Sequence, residues 1–167
     1  NVETVKRAIT SKTKLILAVS ILGNPVKLDI LSKICNKNKI YLMEDNCESM
    51  GAKIKKKFTG TYGIVNTYST FFSHHISTTE GGILTTDNEE LNALARSIRN
   101  HGWTRGVPTE PAVYKPNSDD FYEAYRFILP GYNVRPQEIN GAVGLEQLKK
   151  LPRMTALRRS NLALFQS

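Results

Sequence analysis

Two short apolar runs on either side of a stretch with helical periodicity constrain the fold more than any other feature of the chain. Residues 14–19 and residues 40–44 have the length and composition of strands that are buried on both faces in a parallel sheet. Apolar residues recur at helical spacing between them, which predicts an amphipathic helix from residue 26 to about residue 38. Strand, helix and strand in this order predict a βαβ unit with a right-handed crossover.

Further elements extend this pattern into an α/β fold. Residues 1–9 suit an amphipathic helix, Asp87 and Asn88 suit a helix N-cap, and Pro136 suits the first position of another helix. The other predicted elements are a hairpin or loop at residues 51–63, strands at residues 64–69 and 83–86, and a long irregular segment at residues 101–132. We therefore predict a three-layer, mostly parallel sheet with flanking helices.

Composition narrows the class of protein. The chain of 167 residues is 40% hydrophobic and 23% charged, which is typical of a globular protein with one core, and it has no apolar run long enough to span a bilayer. Its N-terminus lacks the order of charged and apolar residues that marks a signal peptide. Two cysteines, Cys35 and Cys47, are too few for a disulfide framework or a metal site, which favours a reducing cytoplasm.

The net charge of +8 is spread over the predicted helices instead of one motif. We therefore expect neither a nucleic acid nor a membrane as partner, although a nucleic-acid-binding module remains an alternative that rests on charge alone. A small substrate that carries phosphate would be attracted by the same positive field.

Polar side chains follow the ends of two predicted strands. Asp45 comes directly after the strand at residues 40–44, Ser69 ends the next strand, and His74 lies a few residues further on. Ligands of open α/β sheets bind beyond the carboxyl ends of the strands, so the three side chains form one candidate site. Taken singly, an aspartate here suits a turn, and the pair of His74 and His75 suits a structural role.

An ordered set of motifs resembles the sugar aminotransferase family of fold type I pyridoxal phosphate enzymes. The motifs lie at residues 44–52, 60–63, 69–75, 78–82, 99–102, 131–135 and 144–151. This resemblance implies that the chain is the central part of a longer enzyme. Residues 1–150 would be part of the cofactor-binding large domain, and residues 151–167 would begin a helix that leads to a C-terminal small domain.

The resemblance also implies roles for individual residues. Asp45 would keep the pyridine nitrogen of the cofactor protonated, so that the ring accepts electrons. Ser69 would bind the cofactor phosphate, Glu48 would also contact the cofactor, and Asn133 would reach the phosphate across the interface of a homodimer. A turn remains an alternative reading of Asn133.

His74 stands where most members of this family carry a lysine. Lysine forms a covalent imine with pyridoxal phosphate, and imidazole cannot. Imidazole can still move protons, because it titrates at roughly pH 6.5. The site therefore resembles one in which pyridoxamine phosphate is held noncovalently and His74 is the general base, with Ser73 and His101 near the substrate.

Such a site resembles the 3-dehydratase branch of the family, which removes the C3 hydroxyl of nucleotide-linked 4-keto-6-deoxyhexoses in deoxysugar biosynthesis for lipopolysaccharide O-antigens. One subtype of this branch holds an iron–sulfur cluster on several cysteines, and this chain lacks them. The other subtype implies GDP-4-keto-6-deoxymannose as substrate, L-glutamate as amino donor and no metal. A non-catalytic relative that binds the cofactor without turnover remains an alternative function, because a decayed aminotransferase would also lose its lysine.

Overall fold

The computed structural model describes residues 1–108, 110 and 112–167. In chain order its elements are α1 (Val2–Ala8), β1 (Leu15–Val19), α2 (Leu28–Asn38), β2 (Tyr41–Asp45), β3 (Lys53–Ile54), β4 (Lys57–Phe58), β5 (Val65–Ser69), β6 (Gly82–Thr85), α3 (Glu89–Ile98), α4 (Asp120–Ala124) and α5 (Glu138–Gln166). Each strand and each helix predicted from the sequence has a counterpart among these elements.

The chain forms two compact units. Unit 1 comprises residues 1–85 and 138–167 and contains β1 to β6, and unit 2 comprises residues 86–137 and contains α3 and α4.

The main sheet of unit 1 has the strand order β1, β2, β5 and β6. The first three strands are parallel, and β6 runs antiparallel to β5. The register pairs Val19 with Asp45 and Asp45 with Thr67, so the carboxyl ends of the three parallel strands lie at one edge of the sheet. These findings confirm the predicted strand–helix–strand unit and a mixed, mostly parallel sheet with flanking helices.

One face of the sheet packs against α2. Ala18 and Leu42 form a core with Leu28, Leu31 and Cys35 of that helix, and each buried leucine stabilises the fold by roughly 1.5–3 kcal/mol. The alternate residues of β1 and β2 remain exposed: Leu15 at 48%, Leu17 at 52% and Tyr41 at 59%. The prediction that these strands are buried on both faces is therefore wrong in this structure, because unit 1 covers one of their faces and leaves the other to solvent.

Capping side chains define the N-termini of the helices in unit 2. The Asn88 side chain accepts a hydrogen bond from the backbone N–H of Leu91 at 2.8 Å, which confirms this residue as the N-cap of α3. Helix α4 lies within the segment that we expect to be irregular, and the Asp119 carboxylate caps it by accepting from two backbone N–H groups. Its five residues are too few to produce a helical period in the sequence.

The last helix, α5, begins after the first position predicted from Pro136, and it continues beyond Pro152. Its first residue is Glu138, so the prediction of Pro136 at that position is wrong; a carboxylate is favoured there because it faces the positive end of the helix dipole. The helix continues past Pro152 without a break. The proposed domain boundary after residue 150 thus falls inside one helix and stays a prediction. No helix in the described part of the chain is long and apolar enough to cross a membrane.

Candidate functional site

Asp45 ends β2 and is anchored by the residues that follow it. Its Oδ1 accepts a hydrogen bond from the backbone N–H of Cys47 at 3.0 Å, and the Cys47 thiol also hydrogen-bonds to this carboxylate. Burial, reinforced by a hydrogen bond to Asp45 and by the charges of Asp45 and Glu48, raises the pKa of the Cys47 thiol above its ordinary value. The thiol therefore stays protonated at neutral pH and suits neither a nucleophile nor a metal ligand.

Ser69 lies on the same side of the sheet as Asp45. Asp45 pairs in register with Thr67, and Ser69 follows two residues later, so the pleat directs all three side chains to one face. The Ser69 hydroxyl oxygen accepts a hydrogen bond from the backbone N–H of Phe71 at 3.2 Å and keeps its own proton free to donate. The structure thus brings a carboxylate and a hydroxyl donor to one edge of the sheet, as the sequence predicts.

Glu44 is a buried residue that the sequence analysis missed. Its side chain is 0% exposed, and its carboxylate accepts hydrogen bonds from the backbone N–H groups of Gly60, Tyr62 and Gly63 at 2.6, 2.7 and 2.7 Å. A Cβ atom at Gly60 would lie 1.7 Å from the Tyr68 hydroxyl, which explains the glycine there. A single charged residue at the end of an apolar strand, followed by a loop with spaced glycines, is the signal that would have found this arrangement.

The Glu48 carboxylate contacts the protein backbone. Its Oε2 accepts a hydrogen bond from the backbone N–H of Leu22 at 2.6 Å, in the short helical turn that follows β1. Leu22 has a φ of +54°, which non-glycine residues rarely adopt, so this bond helps to hold a strained turn. The predicted cofactor contact of Glu48 stays a prediction, and the structure gives this residue a positioning role between the ends of β1 and β2.

His74 lies within a turn, residues 70–81, whose two ends are joined by hydrogen bonds. The backbone N–H of Thr70 donates to the Gly81 carbonyl at 3.0 Å, and the backbone N–H of Thr78 donates to the Thr70 carbonyl at 2.9 Å. The Asn140 side chain of α5 donates to the Thr78 carbonyl at 2.7 Å. A Cβ atom at Gly81 would lie 2.6 Å from the Thr70 hydroxyl, so this position requires glycine.

The imidazole of His74 is half-buried and lacks a fixed hydrogen bond. Its Nδ1 atom is buried without a hydrogen-bond partner in the described part of the chain, and its ring meets that of Phe71 edge to face with centroids 6.0 Å apart. The adjacent Ser73 is exposed. No hydrogen bond at Nδ1 within the described residues therefore fixes the tautomer of this ring.

His75 faces inward from the same turn. Its burial is the main cause that lowers the pKa of its imidazole, with the charges of Arg158 on α5 and of His74 acting in the same direction. The backbone of Cys47 and the charge of Glu48 act in the opposite direction. The folded protein therefore favours the neutral ring.

This shift predicts a loss of stability in mild acid. Because the pKa of His75 is lower in the folded state, its contribution is complete above about pH 6.5 and is lost as the pH falls, since the unfolded chain then binds more protons. His75→Gln should therefore reduce the fall in the free energy of unfolding between about pH 7.5 and about pH 5.5, measured by urea denaturation. His101→Gln removes an exposed imidazole and is the matched control. An unchanged pH dependence in His75→Gln would contradict the prediction.

Two further predicted site residues lie close together in unit 2. The backbone N–H of His101 donates to the Tyr132 carbonyl at 2.9 Å, and Asn100 and Asn133 form an antiparallel bridge. His101 and Asn133 are both exposed. The structure thus groups Asp45, Glu48, Ser69, Ser73 and His74 in unit 1, and it groups His101 with Asn133 in unit 2; their assigned roles stay predictions.

Known proteins resemble the whole of this chain. Residues 1–167 match the DegT/DnrJ/EryC1/StrS aminotransferase family. GDP-4-keto-6-deoxy-D-mannose 3-dehydratase of Escherichia coli O55:H7 is 51% identical over 166 residues, which are 99% of this chain and 43% of the relative.

Solved structures agree with the sequence comparison. A crystal structure of a GDP-4-keto-6-deoxymannose-3-dehydratase mutant with bound GDP-perosamine is 49% identical with a TM-score of 0.92, over 99% of this chain and 43% of the other. Another structure of this enzyme, with a trapped PLP-glutamate geminal diamine, is 52% identical with a TM-score of 0.86, over 92% of this chain and 40% of the other. This chain therefore belongs to the DegT/DnrJ/EryC1/StrS aminotransferase family.

Proposed function

We propose that the complete polypeptide carrying this chain removes the C3 hydroxyl of GDP-4-keto-6-deoxymannose, with pyridoxamine phosphate as cofactor and L-glutamate as amino donor. The observation that carries the proposal is the imidazole of His74, whose Nδ1 atom has no hydrogen-bond partner within the described residues, on a turn that follows the sheet edge with Asp45 and Ser69. The relatives described above bear enzyme names or ligands of this chemistry, and the chain spans less than half of their length.

The donor set at the sheet edge fits the cofactor. The Asp45 carboxylate has acceptor capacity for a protonated pyridine nitrogen, and the Ser69 hydroxyl can donate to a phosphate. Pyridoxamine phosphate supplies an amine that condenses with a sugar ketone and a ring that accepts electrons. We also assign Glu48 and Asn133 to cofactor binding, with Asn133 supplied by the second subunit of a homodimer.

The residues of this chain would bind the cofactor and move one proton. Asp45 would hold the pyridine nitrogen of the cofactor and Ser69 would hold its phosphate. The His74 ring would be the group that accepts a proton and passes it on to the C3 hydroxyl of the sugar as the hydroxyl leaves. Ser73 and His101 would lie near the substrate.

The exchange of lysine for His74 determines how the cofactor is retained. Imidazole forms no imine with an aldehyde, so the cofactor is held by noncovalent contacts alone. L-glutamate would be the amino donor that restores the amine of the cofactor. We place this reaction in the cytoplasm, in the synthesis of a deoxysugar for lipopolysaccharide, because both cysteines are free.

An ammonia assay tests the proposed function. The complete polypeptide is incubated with pyridoxal phosphate, glutamate and GDP-4-keto-6-deoxymannose, and ammonia is measured against a control without sugar. We expect ammonia to accumulate only when the sugar is present. Cofactor binding, seen by absorbance, without ammonia above the control would instead indicate the alternative of a non-catalytic relative.

A further inference from the structure

The turn at residues 70–81 contains a strained residue. Thr79 has a φ of +74°, in the left-handed region that a β-branched residue rarely adopts. Such a conformation costs free energy and persists only where the surrounding structure holds it. Thr79 is exposed, so burial of its own side chain does not supply that support. Contacts of the neighbouring backbone therefore have to offset the strain.

The side-chain amide of Asn140 joins the two carbonyl groups that flank Thr79. Its Nδ2 atom donates to the Thr78 carbonyl at 2.7 Å and to the Glu80 carbonyl at 3.3 Å. An amide nitrogen carries two protons, so one side chain can serve both carbonyls. Asn140 lies on α5, 62 and 60 residues further along the chain than these two partners. The two bonds fix the backbone on either side of the strained residue.

Helix α5 approaches the same part of the turn closely at Gly144. A Cβ atom at this position would lie 3.1 Å from the Thr78 Cγ2 atom, which is closer than side chains normally pack. Gly144 follows Asn140 by one helical turn, so both residues lie on the face of α5 that contacts the turn. Thr78 is 7% exposed, so this contact lies in the protein interior.

Further contacts connect this part of the turn to His74. The Thr70 and Thr78 hydroxyl oxygens are 2.7 Å apart, and the backbone N–H of Thr70 donates to the Gly81 carbonyl at 3.0 Å. Ile76, two residues after His74, is 3% exposed and anchors the segment between them. Because the two ends of the turn are joined, a shift at its C-terminal end would also move the backbone that carries His74.

We propose that Asn140 is a positioning residue, which holds the turn in its strained form and thereby places the His74 imidazole for proton transfer. This inference rests on the role proposed above for His74. Without the Asn140 amide, Thr79 would relax toward an ordinary negative φ, and the turn would move with it. A misplacement of reacting groups by about 1 Å can lower a rate about a hundredfold. Asp45 and Ser69 lie outside the turn, so cofactor binding should not change.

Steady-state kinetics of the complete polypeptide test this role. Asn140→Ala removes both donors and, because alanine favours helices, should leave α5 intact. We expect the kcat of ammonia release to fall about tenfold to a hundredfold, while the KM for the sugar changes less than about twofold. Asn92→Ala removes the same side chain from an exposed position on α3 and should leave kcat unchanged.

A double variant distinguishes positioning from a general loss of packing. Thr79→Gly introduces a residue for which positive φ costs little, so the turn should keep its course without the Asn140 amide. We expect Asn140→Ala combined with Thr79→Gly to recover kcat to within about threefold of the wild-type value. An equal loss of kcat in the single and the double variant would overturn the proposal, because Asn140 would then not act through Thr79.

Amide hydrogen exchange, followed by mass spectrometry, tests the inference without the reaction. The peptide that covers residues 70–81 should exchange about tenfold faster in Asn140→Ala than in the wild type, and Asn92→Ala should match the wild type. If the wild type releases no ammonia, the proposed function fails, while this exchange still decides whether Asn140 holds the turn. Unchanged exchange in Asn140→Ala, or faster exchange without a fall in the kcat of an active enzyme, would overturn the proposal.

Discussion

Replacing His74 with asparagine should lower the rate of ammonia release by about a hundredfold to ten-thousandfold, the usual contribution of a general base. Asparagine keeps a polar side chain of similar reach but accepts no proton at neutral pH. The turn that carries residue 74 is fastened by Thr70, Thr78 and Asn140, so the backbone should keep its course. Cofactor binding, followed by absorbance, should therefore be retained while turnover is lost.

A second variant at the same position tests the geometry without any turnover. His74→Lys supplies a primary amine, so treatment with pyridoxal phosphate and borohydride should add the mass of the reduced cofactor to the chain, as measured by mass spectrometry. Wild-type protein is the control and should gain no mass at this residue. Full activity in His74→Asn, or no labelling of His74→Lys, would mean that residue 74 does not face the reacting carbon.

Replacing Glu44 with alanine should lower the free energy of unfolding by about 3–5 kcal/mol, because three backbone N–H groups would lose their acceptor. This is a large share of the roughly 5–15 kcal/mol that stabilises a typical domain. Glu44→Gln keeps the shape of the side chain but turns an amide donor toward these N–H groups, so its cost should be smaller, about 2 kcal/mol. Urea unfolding of the complete polypeptide measures both values.

Glu146→Gln is the matched control for these variants. Glu146 is 68% exposed and forms an ion pair with Lys149, three residues later on α5, so its loss should cost no more than about 0.5 kcal/mol. A cost for Glu44→Ala as small as that of the control would contradict the role assigned to the buried carboxylate.

The regular elements of unit 1 were predictable because each has a local cause. Apolar runs produce β1 and β2, helical periodicity produces α2, and the Asn88 side chain starts α3. Parallel pairing then places Asp45 and Ser69 at one edge without further information. The identity of His74 as a candidate base depended on resemblance to a family, since two adjacent histidines have no specific meaning by themselves.

Hydrogen bonds between residues that are far apart in the chain could not be predicted from the sequence. The bonds from Glu44 to the residue 60–63 loop and from Glu48 to Leu22 join groups at least 16 residues apart, and no spacing rule links them. The solvent exposure of one face of β1 also could not be predicted. A run that is apolar at every position has the same sequence pattern whether one face of the strand or both faces are covered.

The hydrogen bonds that hold the turn at residues 70–81 do not involve the side chain of His74. Its base is held by threonines, by the backbone of Gly81 and by Asn140, and the backbone bond from His74 to Phe71 does not depend on the side chain at residue 74. A lysine or a histidine can therefore occupy that position on the same scaffold. The side chain at residue 74 can thus be exchanged without altering the hydrogen bonds that position its backbone.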